Sequence, residues 1–249
     1  MDSLIYSLNA TLPVFLVIVV GYVLKQIGIL NNGFVKTANK FNFVVTLPVL
    51  LFVDLSTTDI IGDFDITYVL YCAFVTTVAF FGLWIAAKFL IKDKKIVGEF
   101  VQAGYRSSAA ILGVAASLLK IDFHEIIDKT LASLAKMASP LALITIGAGF
   151  EGRKAIAKIK PTIAATMIKL VVLPAVFLPI AIKLGFRDQA LVALIIMLGS
   201  PTTPSSYIMA KNMGHEGVLT SSVVVATTLM SSLCLTFWIF VARYFGYII

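Results

Sequence analysis

Charge is what this 249-residue chain has least of. Asp, Glu, Lys and Arg together make up 13% of it, against about 25% in an ordinary soluble domain. So few charges cannot cover the surface of a 26.9 kDa globule. Histidine is nearly absent: His124 and His215 lie in loops, neither with a second ligand at metal spacing. Cysteine is nearly absent too. Cys72 and Cys234 each sit inside an apolar run, which excludes a disulfide framework and a CxxC metal site and leaves them as small packing residues. There is no HExxH, GxSxG, Walker loop or pair of carboxylates at depth. The sequence therefore gives no ground for an enzyme, a cofactor or a metal centre. The pI near 9.4 raises nucleic-acid binding only where basic tracts alternate with aromatics, and no such tract is present. What remains is abundant apolar sequence, 59% of the chain, with mean hydropathy +0.99. The expected class is all-α, a polytopic transmembrane helical bundle.

A span needs roughly 20 mostly apolar residues. Eight stretches qualify: about 8–30, 36–56, 66–91, 96–119, 127–150, 161–184, 188–211 and 217–247. Met1 to Asn9 carries Asp2 and no base, so the first run is expected to be a retained span, not a cleaved signal. The polar stretches Lys120–Lys129 and Glu151–Lys160 are expected as loops with room for a short interfacial helical turn. Bases alternate by loop. Lys25, Lys36 and Lys40 follow the first span, Lys88, Lys92, Lys94 and Lys95 the third, Arg153, Lys154, Lys158 and Lys160 the fifth, and Lys211 the seventh. The even-numbered loops hold only Lys120, Lys129, Lys183 and Arg187. Positive loops stay cytoplasmic, so both termini are expected outside, in a multi-pass protein of the cell membrane.

The order of features repeats. Thr46-Leu47-Pro48-Val49-Leu50-Leu51 falls over Ala138-Ser139-Pro140-Leu141-Ala142-Leu143. Each proline-bearing span precedes a longer uninterrupted one. Next comes a span with small polar residues at its centre, Gly104-Tyr105-Arg106-Ser107-Ser108 in one case and Gly199 to Ser206 in the other. By the charge pattern the two copies enter from opposite sides. An inverted repeat of this kind points to a secondary transporter, with halves at 1–119 and 120–249.

Pro201 and Pro204, three residues apart, make a continuous helix there improbable. Unwound backbone survives at membrane depth only where it lines a cavity or is packed in protein. The competing reading is a kink stabilised by neighbouring helices, which is the preferred reading for Pro174 and Pro179. Arg106 lies too deep to snorkel easily, and a charge there costs about 2.5–3.5 kcal/mol. Its partner is an anionic substrate or a water-filled vestibule, or else Glu99 or a helix C-terminus. Lys169 and Lys136 lie nearer span ends and are read as snorkelling. Asn42 and Thr46, one turn apart, share a face and offer donors and acceptors to the same cavity or to a neighbouring helix.

Taken together, Leu8 to Pro13, the Asn42…Leu47-Pro48…Leu51-Phe52 span, Gln102…Arg106-Ser107-Ser108 and Ser200-Pro201-Thr202…Ser206 resemble the auxin efflux carrier family. Its bacterial members are often called malate permeases or organic-acid transporters. The resemblance implies two inverted five-helix repeats, an architecture similar to the bile-acid-symporter and NhaA-like class, with two broken helices crossing at the substrate site. By position it implies Arg106, Ser107 and Ser108 at the first break and Pro201, Thr202, Thr203, Pro204 and Ser205 at the second. Pro48, Ser139 and Pro140, with Asn42 and Thr46, accompany them as candidate substrate-binding residues. The chain departs from the family in having Ser108 where members often have Asn. It is also about two spans short, the shortfall falling between Gly113 and Lys120, so the fold expected is incomplete.

The leading expectation is a carrier for a small organic anion, a malate-like or auxin-like carboxylate, working by alternating access in a lipid bilayer. Proton or sodium coupling and assembly as a homodimer stay open on the residues alone. The rival expectation is a shortened, non-transporting membrane protein, a remnant or an interaction partner.

Overall fold

Hydrocarbon offers the backbone no hydrogen-bond partner, so an apolar run this long satisfies its own N–H and C=O groups as helix. The computed structural model describes residues 2–56, 66–91, 93, 96–105 and 125–249, and these are helical with short connections and no strand. The order is α1 (Asp2–Gln26), α2 (Asn32–Phe41), a π-helical turn (Asn42–Thr46), α3 (Leu47–Ser56), α4 (Ile66–Leu90) and α5 (Val97–Tyr105). Then follow α6 (Glu125–Ala148), α7 (Gly152–Ala157), α8 (Ile159–Met167), a second π-helical turn (Ile168–Val172) and α9 (Leu173–Lys183). The chain closes with α10 (Asp188–Gly199), α11 (Pro204–Asn212) and α12 (Val218–Tyr244).

Among the described residues five stretches are long and apolar enough to cross a membrane: Ile66–Phe89, Ile126–Ala148, Ile159–Lys183, Asp188–Asn212 and Val218–Tyr244. They coincide with the third, fifth, sixth, seventh and eighth of the eight expected spans. Of the other three, the first falls on α1, whose apolar part Thr11–Gln26 is shorter. The second falls on α2, the π turn and α3. The fourth is described only over Val97–Tyr105, and the expected junction at Gly113 to Lys120 lies outside the described residues. The polar connection after α6 holds the short helix α7.

Local chemistry sets the helix details. The Asn31 side chain accepts from the Phe34 N–H at 2.8 Å and starts α2. Each π turn leads directly into a Leu-Pro pair, Leu47-Pro48 and Leu173-Pro174. Pro174 has no N–H to offer the carbonyl four residues earlier. That carbonyl, of Leu170, accepts instead from the Trp238 indole Nε1 at 3.0 Å. Pro140 lies inside α6, which continues unbroken through it.

Packing is closest between α1 and α6. A Cβ at Gly147 would strike the Ile18 carbonyl and come within 2.8 Å of the Tyr22 nitrogen. A Cβ at Gly21 would strike the Ile144 backbone, its Cα at 2.9 Å. Glycine at both places lets two backbones touch, as small residues do between membrane helices. The final helix, α12, packs on α1, α5, α8, α10 and α11. One apolar core joins Val75, Phe177, Leu191 and Ile195. A second joins Leu83, Phe100, Ala103 and Leu219, and a third Ile18, Ile146, Ile208 and Val224. Leu16, Val20, Phe74, Phe81, Phe237 and Phe240 face outward, as they would toward acyl chains.

Candidate functional site at an interrupted helix

Between α10 and α11 the chain changes neighbours. Both pack on α12, but the first otherwise packs on α9 and the second π turn, and the second on α2, the first π turn, α5 and α6. The link is extended backbone, with φ/ψ of −70°/157° at Ser200 and −66°/139° at Thr203. The last carbonyls of α10, those of Met197 and Leu198 among them, therefore lose their helical donors. Pro201 has no N–H for Met197. The Thr202 N–H, which would serve Leu198, donates to Thr227 Oγ1 at 3.1 Å. The Thr202 hydroxyl donates to the Ala103 carbonyl in the last turn of α5 at 2.7 Å. Buried Thr202 thus fastens the interruption to two other helices at once.

The break is shorter than Pro201 to Ser206. Helix resumes at Pro204, whose fixed φ suits a first helical position. The Ser206 N–H and hydroxyl both donate to the Thr203 carbonyl, at 3.0 and 2.6 Å. The Ser205 hydroxyl donates to Thr203 Oγ1 at 3.0 Å.

Lys169 does not snorkel. It is 1% exposed, and its Nζ donates to the carbonyls of Leu198 at 3.1 Å and Met197 at 3.4 Å. These are two of the acceptors that the break leaves without helical donors, at the negative end of the α10 dipole. Glu99 has a mirrored role. Only 2% exposed, it accepts from the N–H groups of Gly217 and Thr220 at 3.3 and 3.4 Å and from the Thr220 hydroxyl at 3.2 Å. Its carboxylate thus serves the positive end of α12.

The remaining sequence candidates divide. Asn42 donates through Nδ2 to the Ala138 carbonyl at 2.9 Å, and its Oδ1 accepts from Thr46 Oγ1. Both are buried and lie on the π turn against which α11 packs. Pro48, Ser139 and Pro140 are exposed, as is Lys136. Arg106, Ser107 and Ser108 lie outside the described residues.

Among the described residues three buried polar side-chain atoms have no hydrogen-bond partner: Asn39 Oδ1, Gln102 Oε1 and Thr166 Oγ1. Such atoms are rare and call for an explanation, a water or ligand being one. Gln102 adjoins Ala103, and Thr166 is one turn before Lys169. Gln102 belongs to the span that carries the family resemblance, and Thr166 is not among the sequence candidates. The signal was present: Thr162, Thr166 and Lys169 form one polar stripe on an otherwise apolar run, and all three are buried.

One end of the bundle opens into a cavity of about 870 Å³ lined by Lys25, Asn32, Lys36, Asn39, Lys40, Glu151, Lys211, Asn212 and His215. Lys25 lies at the end of α1, Asn32, Lys36, Asn39 and Lys40 lie on α2, Glu151 follows α6, Lys211 and Asn212 end α11 and His215 follows it, so bases distant in sequence share one opening. Lys25 Nζ donates to Asn32 Oδ1 at 2.5 Å. Glu151, beside the cavity, is paired with Lys154 at 3.1 Å. The lining is therefore cationic and rich in amides, which suits an anion. Among the described residues no group of three or more His, Cys, Asp or Glu is placed to hold a metal.

Comparison with known proteins bears on the whole chain. No curated protein sequence matches it. A family model described as membrane transport protein matches residues 6–101 and 107–239, with Arg106 between the two segments. The chain belongs to this membrane transport protein family, that of the auxin efflux carriers.

Proposed function

We propose that the protein carries a small organic anion, malate-like or auxin-like, by alternating access around the interruption at Ser200–Thr203. That interruption is the observation on which the reading stands. Extended backbone at the middle of an apolar helical stretch belongs where a polar ligand passes. The half-helix α11 begins there, and a helix N-terminus favours negative charge. The unpartnered Gln102 Oε1 lies on α5, one residue from the carbonyl that Thr202 grips. Arg106 follows one turn later in sequence and supplies the cation.

The basic cavity is the anion's antechamber. Its lysines, Lys25, Lys36, Lys40 and Lys211, come from the first and seventh connections, two of those the charge pattern assigns to the cytoplasm, which supports N- and C-termini outside. An inside-negative potential then drives a monoanion outward by about 2.3 kcal/mol per 100 mV. Export by this route needs no coupling ion. The halves 1–119 and 120–249 serve as the two inverted units.

The test is flux of L-malate and of an indole carboxylate from proteoliposomes under a set potential. The parent chain is expected to pass one of them and Arg106→Gln to lose most of the rate. Equal flux in both proteins removes Arg106 from the site. No carboxylate flux from the parent at any potential ends the carrier reading and favours the shortened, non-transporting alternative.

A further inference from the structure

A helix broken inside hydrocarbon leaves carbonyl oxygens without donors, and in a carrier such a carbonyl end is a ready seat for a coupling cation. Here the seat is taken. Met197 loses its donor because residue 201 is proline, and Leu198 loses its donor because the Thr202 N–H turns to Thr227. The Lys169 ammonium reaches both oxygens from the neighbouring π turn, at 3.4 and 3.1 Å. It is 1% exposed, and among the described residues no carboxylate forms an ion pair with it. An ammonium buried without a carboxylate is expensive to keep. Its compensation is this carbonyl pair and the α10 dipole.

We infer that Lys169 is a tethered cation, its Nζ holding the place beside the interrupted helix that a free alkali ion would otherwise fill. The positive charge needed to keep the carbonyl end of α10 intact is covalently part of the chain. The break is therefore formed in the absence of sodium. Where the interruption is the anion's seat, as proposed above, the anion meets this charge already in place and its binding is sodium-independent.

The experiment needs no carboxylate, so its outcome stands apart from that of the carrier reading. Purified full-length protein in detergent is melted in sodium chloride and in choline chloride at equal ionic strength. The parent is expected to melt at the same temperature in both. Lys169→Ala is expected to melt several degrees lower and to recover in ethylammonium chloride but not in equimolar 1-propanol. Lys169→Arg is expected to stay near the parent. A selective rise of the parent's melting point in sodium would overturn the inference. So would a Lys169→Ala protein as stable as the parent, or one that ethylammonium helps no more than the neutral alcohol. If Lys169→Ala gives no folded protein, Lys169→Met and Lys169→Arg decide. Arg melting above Met supports a charge requirement, and Met equal to or above Arg reduces the lysine to packing.

Discussion

Glu99→Gln is the sharpest probe of how the two ends of this bundle are fastened. The substitution keeps shape and volume and changes only charge and one acceptor. In the parent the carboxylate accepts from Gly217 N–H, Thr220 N–H and Thr220 Oγ1 at 3.2 to 3.4 Å. A glutamine can turn its oxygen to Thr220, but its amide then faces the Gly217 N–H, donor against donor. One bond is lost outright. The remaining two fall from charge-assisted to neutral, a difference of about 1 kcal/mol. The attraction of a carboxylate for the α12 N-terminus, about 0.3–2 kcal/mol, goes with it. The long distances put each contribution at the lower end of its range, so the sum is about 2–3 kcal/mol. That is roughly a 30- to 150-fold change in the unfolding constant. The assay is SDS-driven unfolding in mixed micelles, followed by tryptophan fluorescence, with Thr220→Ala and the double variant completing a cycle. The Glu99–Thr220 coupling is expected to be at least 0.5 kcal/mol. A Glu99→Gln protein within 0.5 kcal/mol of the parent would refute the claim that the carboxylate anchors α12.

Three further outcomes follow from the geometry. Trp238→Phe removes the donor that serves the Leu170 carbonyl freed by Pro174, and is expected to cost about 1–3 kcal/mol in the same unfolding assay. Gly147→Ala drives a methyl into the Ile18 carbonyl; about 1–3 kcal/mol is expected, and an unchanged melting temperature would show that α1 and α6 are not in backbone contact. Replacing Lys36, Lys40 and Lys211 by Gln together removes three cations from the basic cavity. Half-saturation for malate flux is expected to rise severalfold and its dependence on ionic strength to flatten, with the maximal rate little changed.

Much of the architecture was written in the apolar runs. Five of the expected spans reappear as helical stretches long enough to cross a membrane, and the Pro201–Pro204 spacing located the break to within a few residues. Composition could not show where the break stops, because that depends on Ser206 returning two bonds to Thr203. Proline alone was an ambiguous signal. Pro140 and Pro48 looked equivalent in sequence, yet α6 runs straight through the one while a π turn precedes the other. The stripe of Thr162, Thr166 and Lys169 marks a buried face, but not what Lys169 meets there, because its acceptors come from a segment 28 and 29 residues later. Glu99 finds its partners 118 and 121 residues away, a pairing that no local pattern contains.

The glycine contact between α1 and α6 limits what can move. With Gly21 lying on Ile144, and Gly147 on Ile18 and Tyr22, the two rods mesh like teeth, and a slide of even part of a turn would jam main chain against main chain. Any cycle that exposes the centre of the protein alternately to each face must carry this pair as one rigid block. Helix α10 stands outside that block, touching neither α1 nor α6 in any extended contact.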